Sequence, residues 1–361
     1  MGNKLSHSSV SRYMRCGESY RLHYLEKLRP KTTNASLLWG SAMDVALNCL
    51  LLKEGDALET FYNNWESAFI NGRQVKLFNS ELVTYAERDI DTDLLNEKHM
   101  LLLKEYARQC GFNQKLSIQE HVDECQATKK QRMYKTFKPE QQSFLNAVAW
   151  CCLESKGELT IRAYREKVLP RIVEVISVQQ KVDTTNDVGD SVVGYVDFIA
   201  KLDDGNTYIL DNKSSYMRYD DDSASSSPQL ALYSNLMGIN HVGFIVYYKT
   251  VVKNKVRTCV SCGTVSDNNR VKTCVEVVNG KRCGGEFSET MSPDIDIQFF
   301  LSPAKPRLKE MIMSNFDAVN TLINNKVFIK NTATCKNVFG GPCEFISVCY
   351  EDSLDGLDKV E

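Results

Sequence analysis

The sequence predicts an α/β protein with a mixed central sheet flanked by helices, and three observations predict it. Residues 36 to about 170 carry helical apolar spacing with few strand signals. From Ile172 the chain turns to short runs rich in β-branched and aromatic residues, of which His241-Val242-Gly243-Phe244-Ile245-Val246-Tyr247-Tyr248-Lys249 is the strongest. A long amphipathic stretch from about 304 to 325 then returns to the helical period. With 361 residues, 43% of them hydrophobic, the chain is long enough for one large decorated domain or two small ones.

In chain order, residues 1 to about 30 read as a helix with Ser8 or Ser9 as N-cap and Tyr13, Tyr20 and Tyr24 as candidate core aromatics. Helical spacing recurs over 37–52, 58–70, 81–107 and 141–154, with Pro139 and Pro170 marking boundaries, so a helical subdomain is expected over the site. Core strands are expected at 172–182, 192–202, 207–214, 241–249 and 295–300. Asp203-Asp204-Gly205-Asn206 is a hairpin-turn signal, and the Asp-Ser run 220–227 reads as a mobile loop near the active site. The resulting segments are 1–35, an N-terminal helix; 36–170, the helical subdomain; 171–250, the core; 251–291, a metal-binding insertion; and 292–361, a strand, a helix and a cysteine tail.

The chemistry concentrates where Gly194-Tyr195-Val196-Asp197 is followed after the turn by Asp211-Asn212-Lys213. Residues two apart on a strand share a face, so Asp211 and Lys213 point the same way, and the hairpin brings Asp197 alongside. Two hard oxygen ligands suited to Mg²⁺ or Mn²⁺ then stand beside one cationic amine. A phosphodiester is already anionic, so its hydrolysis calls for a cation that neutralises it and makes hydroxide available near neutral pH. Neighbouring carboxylates keep a lysine charged, which suits Lys213 to orientation and charge stabilisation before general base. The bland alternative is a surface hairpin with solvated charges.

Downstream, Gln229 and Tyr233 fall on one helix face, four apart. The ordered set Gly194-x-x-Asp197, Asp211-Asn212-Lys213 and Gln229-x-x-x-Tyr233 resembles the RecB-like branch of the PD-(D/E)XK nuclease superfamily. Ser9 to Tyr24, with Cys16 before an aromatic repeat, looks like the opening helix of these nucleases. The resemblance covers about half the chain. It implies a restriction-endonuclease-like core, metal ligands at Asp197 and Asp211, a backbone carbonyl ligand from Asn212, a catalytic Lys213, and Gln229 and Tyr233 near the lysine and the DNA backbone. The family's Gly-x-x-x-His motif is represented by Gly40-Ser41-Ala42-Met43-Asp44, so Asp44 stands where the histidine is expected. Aspartate is a competent Mg²⁺ ligand; the alternative is a solvated helix residue.

Thirteen cysteines are a second signal, seven of them in two groups in the last third of the chain. Cys259, Cys262, Cys274 and Cys283 lie on a Gly-, Asn- and Lys-rich stretch too poor in apolar residues for a core, so a structural zinc would supply its folding energy. The eight residues between Cys274 and Cys283 depart from a standard ribbon, and disulfides are the rival reading. Cys335, Cys343 and Cys349 form the second group and need a fourth thiolate to hold a cubane. The resemblance supplies Cys16: RecB-like members of the AddB and CRISPR-adaptation types staple such a set around a four-iron four-sulfur cluster that clamps the chain ends. The gap of seven between Cys335 and Cys343, where the family has two, is a departure, and a second zinc or free thiols are the alternatives. Cys49, Cys110, Cys125, Cys151 and Cys152 show no ligand spacing and read as small core residues.

A net charge of −2 excludes a polycation that binds nucleic acid along its whole surface, although a basic groove can sit on a near-neutral protein. Lys249, Lys253, Lys255 and Arg257 lead into the zinc segment, and Arg270, Lys272, Lys281 and Arg282 lie within it, giving either a DNA-contacting arm or a solvated surface. No signal peptide or transmembrane run is expected, which points to a reducing cytoplasm, in a bacterium or a phage-infected host cell, with no membrane partner. The expected function is a Mg²⁺- or Mn²⁺-dependent DNA exonuclease in recombination, repair or phage DNA processing, with a helicase, annealing protein or integrase as candidate partner. A structure-selective endonuclease on the same fold and a non-catalytic DNA-binding scaffold are the rivals.

Overall fold

The computed structural model describes residues 4–131, 137–185, 191–266, 271–336 and 341–360. Its helices of seven residues or more are α1 (His7–Arg15), α2 (Ala35–Leu52), α3 (Ala57–Glu66), α4 (Glu97–Gln109), α5 (Ile118–Gln131), α6 (Pro139–Lys167), α7 (Pro228–Met237) and α8 (Pro306–Asn324). The long strands are β1 (Ile172–Thr185), β2 (Ser191–Leu202), β3 (Thr207–Ser215), β4 (His241–Cys259) and β5 (Phe287–Pro303). These five strands and two short ones make a seven-stranded mixed sheet. β1, β2 and β3 run antiparallel in turn, β4 joins β3 in parallel through α7, and β5 returns antiparallel along β4.

Helices cover both faces of the sheet, as expected of a mixed α/β protein. On one face Trp39, Met43, Phe61, Trp65, Phe144 and Tyr164 pack against Phe198, Leu210 and Ile245. On the other, Val10, Tyr13, Leu232 and Phe316 pack against Val196, Ile209 and Val246. Most of the central residues of α6 are buried, which explains why it spans 29 residues where periodicity alone marks a shorter stretch. α2 is long and apolar enough to cross a membrane by length and composition. This corrects the expectation of no such run. Seven of its residues are buried in the protein, and the Trp39 indole donates to the Leu153 carbonyl at 2.8 Å, the packing of a core helix.

The opening segment is not one helix. α1 is capped by Ser6 through a reciprocal box with Ser9, rather than by Ser8 or Ser9, and it stops at Cys16, whose backbone is extended. A short helical turn and a π-turn follow, and Leu28–Pro30 then pairs antiparallel with Leu357–Lys359. The helical subdomain is likewise interrupted. Residues 67–76 form a hairpin, and 81–96 hold a short strand and two 3₁₀ turns in place of the expected helix. The five sheet strands fall where the sequence predicts, but β4 and β5 extend into a long hairpin that carries the cysteine segment at its tip. The run 220–227 folds into hydrogen-bonded turns anchored by buried Ala224.

Candidate functional site

The expected site residues meet where two strands part. Pairing between β2 and β3 ends at Phe198 opposite Leu210, so Asp197 and Asp211 are the first residues beyond the last rung. The β2 edge vacated by β3 is taken up by Lys4–Leu5, paired in parallel with Ser191 and Val192. That short strand delivers α1, and with it His7, to the fork.

Asp211 is only 3% exposed. Its Oδ2 is ion-paired with Lys213 Nζ yet accepts no hydrogen bond. The contact is therefore a charge pair without hydrogen-bond geometry, and a buried carboxylate oxygen remains open to a further partner. Asp197 Oδ2 accepts the backbone N–H of Asn212 at 3.0 Å. Burial, and then the Asp211 carboxylate, push Asp197 up to about 8. Burial first and Asp211 second also raise Asp44, which α2 brings into the same field. Burial pulls Lys213 down, but the charges of Asp211 and then Asp197 outweigh it and hold the ammonium above its ordinary value. Three carboxyls crowd one lysine, so protonation of Asp197 is favoured without a cation, and a divalent cation would favour the ionised carboxylates instead.

Gln229 and Tyr233 also reach the site. Tyr233 is buried, within electrostatic reach of Asp211 and Asp197 and close enough to Gln229 to feel its amide; burial is the main cause of its raised pKa. Its ring lies against Gly194, where an added Cβ would sit 2.7 Å from Tyr233 Cε1. The glycine of the Gly-x-x-Asp run therefore makes room for the tyrosine of α7. The Asn212 side chain turns to the opposite face, where it accepts from the Tyr164 hydroxyl at 3.2 Å.

Sequence reasoning missed two groups. Gln179 of β1 holds φ at +50°, a left-handed conformation unusual within a strand, and donates to the Asp44 carboxylate at 3.2 Å. His7 lies close enough to Lys213 and Asp211 for both to shift it, although burial is the larger reason its pKa is lowered. Neither residue belongs to a motif, and only the fold brings them in.

Cys259, Cys262, Cys274 and Cys283 converge at the tip of the β4–β5 hairpin, with all four sulfurs within 4.8 Å of one another. The Cys259–Cys283 and Cys262–Cys274 sulfurs are 3.7 and 3.6 Å apart, too far for disulfides. The quartet could hold a metal ion such as zinc or an iron–sulfur cluster. Gly285 passes so close that a Cβ would lie 2.7 Å from Cys259 Sγ. Among the described residues no other set of three or more ligand-type side chains is this tight, so Asp44, Asp197 and Asp211 form a looser group. Arg270, one of the basic residues of this segment, lies outside the described residues.

Cys16, Cys335, Cys343 and Cys349 come to one neighbourhood without closing to that distance. Cys16 and Cys343 line a cavity of about 190 Å³ together with Arg12 and Arg15. The Cys343 N–H donates to the Cys335 carbonyl at 2.7 Å, and Cys343 and Cys349 pack against Leu22, Leu28, Phe345 and Leu357. Of the cysteines expected in the core, Cys125, Cys151 and Cys152 are buried and Cys49 and Cys110 are half-buried.

No family model matches the chain, and no curated protein matches it either.

Proposed function

We propose that the protein is a metal-dependent deoxyribonuclease of the RecB-like PD-(D/E)XK type that hydrolyses DNA from its ends. The observation that carries this reading is the pair Asp197 and Asp211 at the fork of β2 and β3, with Lys213 ion-paired to a carboxylate oxygen that accepts no hydrogen bond. Asp197 and Asp211 would hold Mg²⁺ or Mn²⁺, with Asp44 as a third carboxylate and the Asn212 carbonyl as an added ligand. The cation, when bound, supplies charge neutralisation at the phosphate and a hydroxide near neutral pH. Lys213 remains an ammonium, so it orients the attacking water and stabilises charge building on the phosphate. Tyr233 retains its proton and, with Gln229, offers donors to a phosphate oxygen beside the carboxylates. Gln179 fixes the orientation of Asp44.

Zinc suits the quartet at the hairpin tip, because a tetrahedron with Zn–S bonds of about 2.3 Å has edges of about 3.8 Å, and two sulfur pairs stand at 3.6 and 3.7 Å. A single ion with such bonds cannot join sulfurs more than about 4.6 Å apart. The wider spacing of Cys16, Cys335, Cys343 and Cys349 therefore favours a polynuclear iron–sulfur cluster, in a cavity lined by Arg12, Arg15 and the Glu344 carboxylate paired with Arg12. Preparation without oxygen tests that assignment, and a colourless protein removes it.

The nuclease reading is tested with end-labelled linear double- and single-stranded DNA against closed circular DNA, in Mg²⁺ or Mn²⁺. Loss from the ends of linear substrates alone is expected. Nicked circles would replace end-directed action by endonuclease action, and intact substrates throughout would overturn the reading.

A further inference from the structure

A second cavity, of about 490 Å³, opens beside the sheet between residues 88–93, α5, α6 and the middle of β4. Its lining is mostly cationic, with Arg88, Lys156 and Lys249 beside Asp91 and Asp93. Lys156 is 2% exposed and Lys249 5%. Lys156 Nζ donates to the Asp89 carbonyl at 3.2 Å and to the Tyr216 hydroxyl at 3.4 Å, both uncharged acceptors. Lys249 Nζ lies over the rings of Trp39 and Tyr216, at 5.1 and 5.6 Å, and makes no ion pair or hydrogen bond among the described residues. The exposed Arg88 stacks its guanidinium on Tyr216 at 4.6 Å.

The nearby acids are largely committed. The Asp89 carboxylate accepts the Tyr216 hydroxyl at 2.5 Å and the Ala86 N–H at 3.0 Å, and Asp93 is ion-paired with Lys253, so Asp91 is the remaining carboxylate on the wall. The charge of Asp89, itself 0% exposed, faces both lysines, and Asp91 also faces Lys156, so Arg88, Lys156 and Lys249 exceed these two carboxylates by one positive charge, which a ligand anion would balance. The backbone directs Lys249 inward. The β4–β5 register shifts between Tyr247 and Val251, so Lys249 stands in a bulge, a device that re-aims side chains next to functional sites.

The cavity lies along the same strands as the carboxylate site, on the sheet face that carries α2 with Asp44, whereas Lys213 turns to the other face over Phe244. Tyr216 follows the last residue of β3, three positions beyond Lys213, and Lys249 follows Tyr248, the partner of Ser215. At about 3.3 Å per residue this is roughly 7–10 Å along the sheet, a span of a few nucleotides.

We propose that Lys156, Lys249, Arg88 and Tyr216 form a binding pocket for a phosphate group of the nucleic-acid strand that runs through the carboxylate site. The assignment rests on the nuclease reading for the identity of its ligand. An internal phosphodiester and a terminal phosphate present the same anion, so both are probed.

The test uses the full chain in EDTA and single-stranded oligothymidylate carrying a 3′ fluorophore, with and without a 5′ phosphate, followed by fluorescence anisotropy. Lys249→Met is expected to weaken binding about tenfold or more, Arg88→Ala severalfold, and Lys249→Arg no more than about threefold. The salt slope should fall by about one in Lys249→Met. If that loss is confined to the 5′-phosphorylated strand, the pocket takes the terminus; if both strands lose equally, it takes an internal phosphate. Wild-type affinity in both Lys249→Met and Arg88→Ala overturns the proposal. Should Lys249→Met fail to fold, wild-type affinity in Arg88→Ala, a change at an exposed side chain, overturns it alone. Cleavage in Mg²⁺ is scored on the same preparations. Lys249-dependent binding without wild-type cleavage removes the nuclease reading and keeps the phosphate pocket; cleavage with Lys249-independent binding does the reverse.

Discussion

Asp197 accepts the backbone N–H of Asn212 across the gap where β2 and β3 separate, 3.0 Å from donor to acceptor. The bond fixes one carboxylate oxygen against the strand that carries the other carboxylate. An asparagine at 197 can accept the same N–H through its side-chain carbonyl while removing the charge that burial and Asp211 disfavour. Asp197→Asn should therefore fold at least as stably as wild type near pH 7 and lose divalent-cation binding. Thermal melts and Mn²⁺ titration calorimetry check both halves.

Gly194 is needed for the Tyr233 ring. An alanine there would put Cβ 2.7 Å from Cε1 and 3.0 Å from the hydroxyl oxygen. The ring must shift away from the carboxylates, so Gly194→Ala should cost about 1–3 kcal/mol of stability and slow cleavage even though Asp197, Asp211 and Lys213 are untouched. If kcat is unchanged while stability falls, Tyr233 packs the core without serving the site.

At the hairpin tip, four thiols converge on a segment that offers few apolar side chains, so removing the metal should loosen the tip and leave the sheet intact. Amide exchange after chelation, or in Cys283→Ser, is expected to rise across 259–287 while β2 and β3 keep their protection. Uniform loss of protection would mean that the tip is coupled to the whole fold.

Lys249 gives the protein a distinct pH signature. Burial, the largest influence, lowers it from 10.5 to about 8; Asp89 pulls it back up, while Arg88 and Lys156 push it further down. Asp91, Asp93 and Tyr216 also line its cavity. Between pH 8 and 10.5 the unfolded chain binds more protons at this lysine than the folded one, so its unfavourable contribution fades as pH rises through that window. Below pH 8 the full cost remains, roughly 3 kcal/mol. Lys249→Met should thus be more stable than wild type at pH 7 and should lack the rise between pH 8 and 10.5, as read by denaturant melts.

The legible parts of the fold were those in which one residue type has one use. Strands 192–249 read correctly because short β-branched and aromatic runs, buried through most of 196–211 and 242–249, have no helical alternative of that length, and strand 172–182, with Val173 and Ile176 exposed, because its apolar residues are all β-branched. The cysteine quartet read correctly because its spacing outweighed its surroundings. Residues 58–70 were misread because Leu58, Phe61, Trp65 and Ile70 keep helical spacing, although the helix stops at Glu66 and Phe69 turns outward, 73% exposed. The correcting signal was present: Asn71 and Gly72 both hold positive φ, at 50° and 79°, and Asn-Gly is a strong two-residue hairpin turn. Across 81–96 the apolar residues belong to a short strand and two short turns that precede α4, and a single-period window merges them with it. At the site, the strand pair and its acids were readable because they are close in sequence. Asp44 was marked by the Gly40-x-x-x-Asp44 spacing, but Gln179, His7 and the Lys249 cavity meet only through tertiary packing, and no local pattern marks that packing.

The most direct test compares wild type with Lys213→Ala for Mg²⁺-dependent release of label from linear DNA, each first shown to be folded by its melt. The account predicts cleavage by wild type and a loss of about a hundredfold or more in the variant, with cation binding retained. Equal rates in the two proteins would contradict the assignment of this site as the place where DNA is cut.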